Sequence, residues 1–142
     1  MTLKKQEFKM KEKLTQQQKI ESANALEEAS EILEKCIKCG MCKGLCPVFK
    51  SLKEEELSPR GQAILLQNKI LQETIFQCNL CKACETKCPL NLKICDAIIK
   101  ARESLSIRQK NIKTNEEMIK NVRKTGNPFG GKKPEGDKLY CC

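Results

Sequence analysis

Residues 36–47 read C-I-K-C-G-M-C-K-G-L-C-P, four cysteines in eleven positions followed by a proline, in a chain with no histidine. Thiols so crowded can close a disulfide knot, seat a zinc ion or wrap an iron–sulfur cluster. Sliding the sequence by 42 residues lays Cys36, Cys39, Cys42, Cys46 and Pro47 onto Cys78, Cys81, Cys84, Cys88 and Pro89. Both copies spell C-x2-C-x2-C-x3-C-P, and a repeat of that quality governs the reading of everything around it.

A disulfide scaffold is the plain reading of eleven cysteines in 142 residues. The N-terminus, M-T-L-K-K-Q-E-F-K-M-K-E-K, opposes it, because it holds no apolar stretch to form a signal-peptide core. The longest aliphatic run elsewhere is Ala63 to Leu66, too short to span a bilayer. A cytoplasmic chain, neither exported nor membrane-spanning, is therefore expected, and there close-set cysteines serve as ligands or catalytic thiols. Zinc remains the main alternative. It prefers two ligand pairs a dozen or more residues apart around one small ion. Here three cysteines crowd into seven positions and a fourth follows after three intervening residues, which suits a loop wrapped around a larger cubane.

In two-cluster ferredoxins the last cysteine of such a run ligates the other cluster. Applied here, Cys36, Cys39, Cys42 and Cys88 hold one [4Fe–4S] cluster, and Cys78, Cys81, Cys84 and Cys46 hold the second. The formal charge of +9 counts those thiols as neutral. Eight thiolates on two [4Fe–4S]²⁺ cores give each site +2 − 4 = −2, so the net falls to 9 − 4 = +5. Part of the basic excess then compensates the cofactors. Aromatic residues make up only 4% of the chain and Trp is absent, so a core of side chains alone is thin.

The sequence around the motifs is helical by pattern, and strand signals are weak. Leu26, Ala29, Ile32 and Leu33 share a face that runs into the first motif. Ser58 and Pro59 suit an N-cap and first helical residue, with Ala63, Leu66, Ile70 and Leu71 continuing an apolar face toward Phe76. Ile94, Ile98, Ala101 and Leu105 form another stripe. Thr114 and Glu117 read as a capping box for a last helix with Ile119 and Val122 on its apolar side, ended by Gly126 and Pro128. The expected layout is a flexible polar segment over 1–18, one all-α domain over 19–125, and a loop and tail over 126–142.

Several single residues carry expectations of their own. Gly40 lets backbone amides approach a cluster sulfur, and its repeat partner is Lys82. Met41, Leu45, Val48, Leu80, Ala83 and Leu90 are placed to exclude water. Arg60 and Arg102 either stabilise a reduced cluster as nearby cations or pair with surface carboxylates. Cys95 falls in an apolar stripe and reads as a buried, inert thiol, whereas Cys141 and Cys142 read as exposed tail residues.

The two motifs, L-S-P-R-G at 57–61, A-R-E at 101–103 and G-N-P-F-G at 126–130 together resemble the helical two-cluster ferredoxin domain found in the C subunit of heterodisulfide reductase. The same module resembles the iron–sulfur subunits of glycolate oxidase and anaerobic glycerol-3-phosphate dehydrogenase, and more distantly that of succinate dehydrogenase. The resemblance covers about residues 20–130. It implies an alpha-helical ferredoxin fold, pseudo-twofold around two [4Fe–4S] clusters, acting as an electron conduit inside a larger oxidoreductase. The 31 residues between Cys46 and Cys78 agree, since small βαβ-type ferredoxins need no such helical insertion. Many relatives continue past G-N-P into a cysteine-rich domain with CCG motifs, whereas this sequence ends at L-Y-C-C. The implied partner is a flavin-containing or CCG-domain catalytic subunit in a hetero-oligomer.

No dinucleotide fingerprint, phosphate loop or nucleophile–base pair is visible, so the chain reads as a non-catalytic electron-transfer subunit. Two other functions compete with that reading. One is a freely diffusing ferredoxin without an obligate partner. The other is a nucleic-acid-binding cluster or zinc protein, drawn from the eight basic and three acidic residues at 100–124. A solvated face or a dock for an acidic subunit accounts for those charges equally, and aromatics to stack on bases are nearly lacking.

Overall fold

Thr15 starts the first helix of the computed structural model, which describes residues 14–130. Its hydroxyl accepts from the Gln18 amide at 3.2 Å and the Gln18 side chain accepts from the Thr15 amide at 3.0 Å, a complete capping box. The helix, α1, spans Gln16–Leu33 and buries Ser22, Ala25, Leu26, Ala29 and Leu33, one stripe at helical spacing. That stripe lies against α5, Ile94–Ile107, which buries Ile94, Cys95, Ala97, Ile98, Ala101, Ser104 and Leu105. Alanines facing each other let the backbones approach closely. Where they cross, Ser104 Oγ donates to the Ser22 carbonyl at 2.7 Å, the two hydroxyls lie 3.0 Å apart, and Arg108 Nε donates to Ser22 Oγ at 2.6 Å. Each hydroxyl brought inside there has a partner.

Between them come the short α2, Pro47–Leu52, the 3₁₀ turn Glu55–Leu57, α3, Pro59–Gln67, the 3₁₀ turn Glu73–Gln77 and α4, Ala83–Thr86. Among the described residues there is no strand, so the chain is all-α as its pattern predicts. None of the described helices is long and apolar enough to cross a membrane. Ser58 caps α3 as expected, its Oγ accepting from Gly61 at 2.9 Å, with Pro59 in the first turn. Gly61 is required by packing. A Cβ there would stand 1.9 Å from the Glu55 carbonyl oxygen and 2.8 Å from its carbon.

The apolar face of α3 does not continue to Ile70, which is exposed. Lys69 adopts φ 56°, the Lys69 amide bonds Leu66 O at 2.9 Å, and the Ile70 amide bonds Leu65 O at 2.9 Å, closing a Schellman stop without glycine. α5 ends the same way at Gln109, φ 55°, with Lys110 N–H on Leu105 O at 3.0 Å.

The described residues up to Lys110 form one compact unit, and a second begins at Asn111. The second holds α6, Lys113–Thr125, whose Ile119 and Val122 are exposed. Its N-cap is Ile112 with no side-chain cap, so Thr114 lies within the helix and the expected capping box does not form. Gly126 ends it at φ 70°, as expected. The expectations for residues 1–13 and for the tail from 131, including Cys141 and Cys142, lie outside the described residues.

Candidate functional site

The two motif loops share a backbone. Lys38 and Leu80, 42 residues apart, both take left-handed φ, 59° and 54°, and the next such pair is Gly40 and Lys82 at 84° and 60°. Within each motif the two left-handed residues bracket the second cysteine, Lys38 and Gly40 around Cys39, Leu80 and Lys82 around Cys81. Left-handed residues turn the chain tightly enough for successive thiols to face one side. After Gly40 comes the 3₁₀ turn Met41–Leu45, and after Lys82 comes α4, so the repeat seen in the letters is a repeat of conformation.

Two pockets result. The first is lined by Cys36, Cys39, Cys42 and, from the other motif, Cys88. The second is lined by Cys78, Cys81, Cys84 and, from the first motif, Cys46. All eight motif cysteines thus line the two pockets, three from one motif and one from the other in each, and Cys95 lines the second pocket as well. Pro59 lines both pockets, so the N-terminal end of α3 stands between them with its positive end toward sites for anionic groups. From α5, Ile94 closes the first pocket and Ile98, one turn on, the second.

Each motif is also held at its first cysteine by a donor from a following helix. Gln67 Nε2, at the end of α3, bonds the carbonyls of Leu33 at 2.8 Å, Glu34 at 3.3 Å and Cys36 at 3.2 Å. Arg102, on α5, donates to Ile75 O at 3.0 and 3.2 Å, to Phe76 O at 3.3 Å and to Cys78 O. Its guanidinium carbon also lies 5.8 Å from the centre of the Phe76 ring. Arg102 therefore binds backbone, and neither of the roles expected for it, surface ion pair or simple counter-charge, describes it fully. Gln67 has no signature in the sequence at all.

Electrostatics separate the thiols. Burial pushes the Cys42 thiol up, and its neighbours Cys36, Cys39 and Cys88 add to the shift, against a backbone hydrogen bond that lowers it. Burial likewise raises Cys78, opposed by the Leu80 amide at 3.5 Å and by Arg102. Cys84, buried, is raised strongly, by desolvation and then by Cys95. Cys46 Sγ accepts from the Phe49 amide at 3.5 Å, which makes it the N-cap of α2. Amides aimed at sulfur favour the thiolate, the form that binds metal.

Of the apolar residues expected to exclude water, Val48, Leu80 and Ala83 are half-buried, but Met41, Leu45 and Leu90 are exposed. Adjacency to a ligand in sequence does not fix the side on which a residue lies. Cys95 is buried in α5 as expected, at 1% exposure, yet it also lines the second pocket.

The donor set fits iron–sulfur clusters. All eight motif groups are thiols, three from one motif and one from the other in each pocket, and among the described residues lining the pockets there is no carboxylate. One further atom points the same way. Arg60, on the wall of the first pocket, has its Nε buried without a hydrogen-bond partner, a donor left for a group not supplied by the protein. Its Nη1 reaches Glu55 only at 4.0 Å.

Comparison with known proteins agrees. Residues 32–92 match the family described as 4Fe-4S dicluster domain, and the cofactor is two [4Fe–4S] clusters. Over 92 residues the chain is 34% identical to the glycolate oxidase iron-sulfur subunit of Escherichia coli K12, covering 59% of this chain and 22% of that protein. Over 91 residues it is 31% identical to the iron-sulfur C subunit of CoB--CoM heterodisulfide reductase from Methanopyrus kandleri, covering 54% and 47%. Over 72 residues it is 31% identical to the C subunit of the H(2):CoB-CoM heterodisulfide,ferredoxin reductase from Methanothermobacter marburgensis, covering 49% and 39%. The chain thus spans less than half the length of each of these relatives.

Proposed function

We propose, with the 4Fe–4S dicluster domain at residues 32–92 as premise, that this chain is an electron-transfer subunit passing single electrons within a multi-subunit oxidoreductase. Cys36, Cys39, Cys42 and Cys88 would ligate one cluster, and Cys78, Cys81, Cys84 and Cys46 the other. The observation that carries this reading is the exchange of the fourth cysteine between the two pockets. When bound, such clusters supply one-electron outer-sphere chemistry, with charge spread over several metals.

The protein's contribution is to hold and to bias. Gln67 and Arg102 fix the first ligand of each loop, Ile94 and Ile98 keep water from the inner side, and Arg60 presents a positive charge to the first pocket. The partner in this reading is a catalytic subunit, flavin-containing or of the CCG type, in the cytoplasm. Ile37, Met41 and Leu90, large, apolar and exposed beside residues of the first pocket in sequence, support a protein neighbour over free diffusion.

Anaerobic purification with iron and sulfide analysis and low-temperature EPR tests the cofactor assignment. About eight irons and eight sulfides per chain are expected. Cys88→Ser should alter the same paramagnetic centre as Cys42→Ser, and Cys46→Ser the same centre as Cys81→Ser. If Cys88→Ser instead altered the centre that Cys81→Ser alters, the crossed ligation would be wrong. A tagged chain purified from its own cell should bring down a larger catalytic subunit; a monomer with full clusters would favour a diffusible ferredoxin.

A further inference from the structure

A cubane has four corners, yet the second pocket is lined by five thiols: Cys46, Cys78, Cys81, Cys84 and Cys95. The first pocket has only four. The fifth comes from α5, outside both motifs, and its repeat counterpart 42 residues earlier is Lys53, which is exposed. Nothing in the motif pattern calls for it.

Its position is fixed through its backbone. The Cys95 amide donates to the Glu85 carboxylate at 2.9 Å, and Glu85 is the residue after Cys84, so a single hydrogen bond ties the first turn of α5 to the ligand loop. Cys84 and Cys95, 6% and 1% exposed, line the same pocket. Neither side chain has water to turn to, and no carboxylate is among the residues lining that pocket.

We propose that Cys95 is a reserve ligand for the second cluster, able to take the corner held by Cys84. This rests on the crossed ligation proposed above. The exchange breaks one Fe–S bond to Cys84 and makes one to Cys95. The proton leaving the Cys95 thiol passes to the departing Cys84 thiolate, so total charge and oxidation state are unchanged and no further reactant is needed. The second site therefore survives loss or chemical blocking of Cys84, whereas the first has no comparable thiol.

The test is the iron and sulfide content and EPR of the anaerobically purified full chain. Cys84→Ala should keep both clusters, with a shifted signal from one, while Cys84→Ala/Cys95→Ala should lose half the iron and one signal. Iron already halved in Cys84→Ala, or equal in the single and double variants, overturns the proposal. Should the alanine variants not fold, Cys84→Ser against Cys84→Ser/Cys95→Ala gives the same comparison with the volume at position 84 retained, and equal iron in that pair is again fatal. Wild-type protein is the reference. A wild type short of iron would count against the ligand assignment itself, whereas full wild-type iron with a halved Cys84→Ala removes only the role given to Cys95.

Discussion

Gln67 and Arg102 perform the same task on opposite halves of the molecule: each donates to the carbonyl of the first cysteine of a motif, Cys36 in one case and Cys78 in the other. The donors differ in charge and come from different helices, and they are not repeat equivalents. What the halves share is the need to pin the entry to a ligand loop.

Removing a clamp should therefore loosen one site and spare the other. Arg102→Ala leaves the carbonyls of Ile75, Phe76 and Cys78 without that donor, at a cost of roughly 1–3 kcal/mol. The expected result is reduced iron in the centre containing Cys78, with Gln67→Ala acting on the centre containing Cys36. Site-resolved EPR intensities give the readout; equal loss from both centres in either variant contradicts the clamp.

Backbone strain at Lys82 gives a second prediction. A side chain at φ 60° costs roughly 1 kcal/mol, which glycine avoids, so Lys82→Gly should raise the denaturation midpoint while keeping both clusters. At the matching position Gly40→Ala should lower it by a similar amount. Paired denaturant curves on the holoprotein are sufficient, and shifts of the same sign would refute the equivalence of the two loops.

Gly61→Ala should be the most damaging of the single-methyl changes. The new Cβ meets the Glu55 carbonyl, backbone that cannot swing aside, so α3 and the turn at 55–57 must separate. A loss of about 3 kcal/mol is expected, at the upper end for overpacking. Ser58→Ala, which removes only the α3 cap, should cost about 1 kcal/mol. A thermal melt of the two variants should rank them in that order.

Arg60→Gln should shift the potential of one cluster. The guanidinium favours the more negative, reduced state of the first site, so its loss lowers that potential, by roughly tens of millivolts for a half-exposed charge. EPR-monitored redox titration would show this; an unchanged first centre would leave Arg60 a structural residue of α3.

What the sequence discloses here follows from how specific the chemistry is. Thiols are the usual ligands of such clusters, so the eight motif cysteines that line the pockets stand out at once, as do Ser58 and Pro59, because caps favour few residue types. Gln67 and Arg102 are silent as clamps because many donors can bond a carbonyl. The ends of α3 and α5 are silent for a different reason: Lys69 and Gln109 take the left-handed position that glycine usually marks. Thr114 and Glu117 show the converse, a well-spelled capping box that the helix start at Lys113 passes over. Cys95 is legible as core but not as pocket, since one helical face supplies both.

The trading of Cys46 and Cys88 between pockets also bears on biosynthesis. A ribosome releases Cys42 well before Cys88, since 88 − 42 = 46 positions of chain separate them, and until the later one emerges the first pocket has only three of its four cysteines. Under the proposed ligation neither site is complete before the second motif emerges, the second site closing at Cys84 and the first at Cys88. Loading of both sites under that ligation therefore requires a chain synthesised past Cys88, and a product stopping before the second motif holds no whole site.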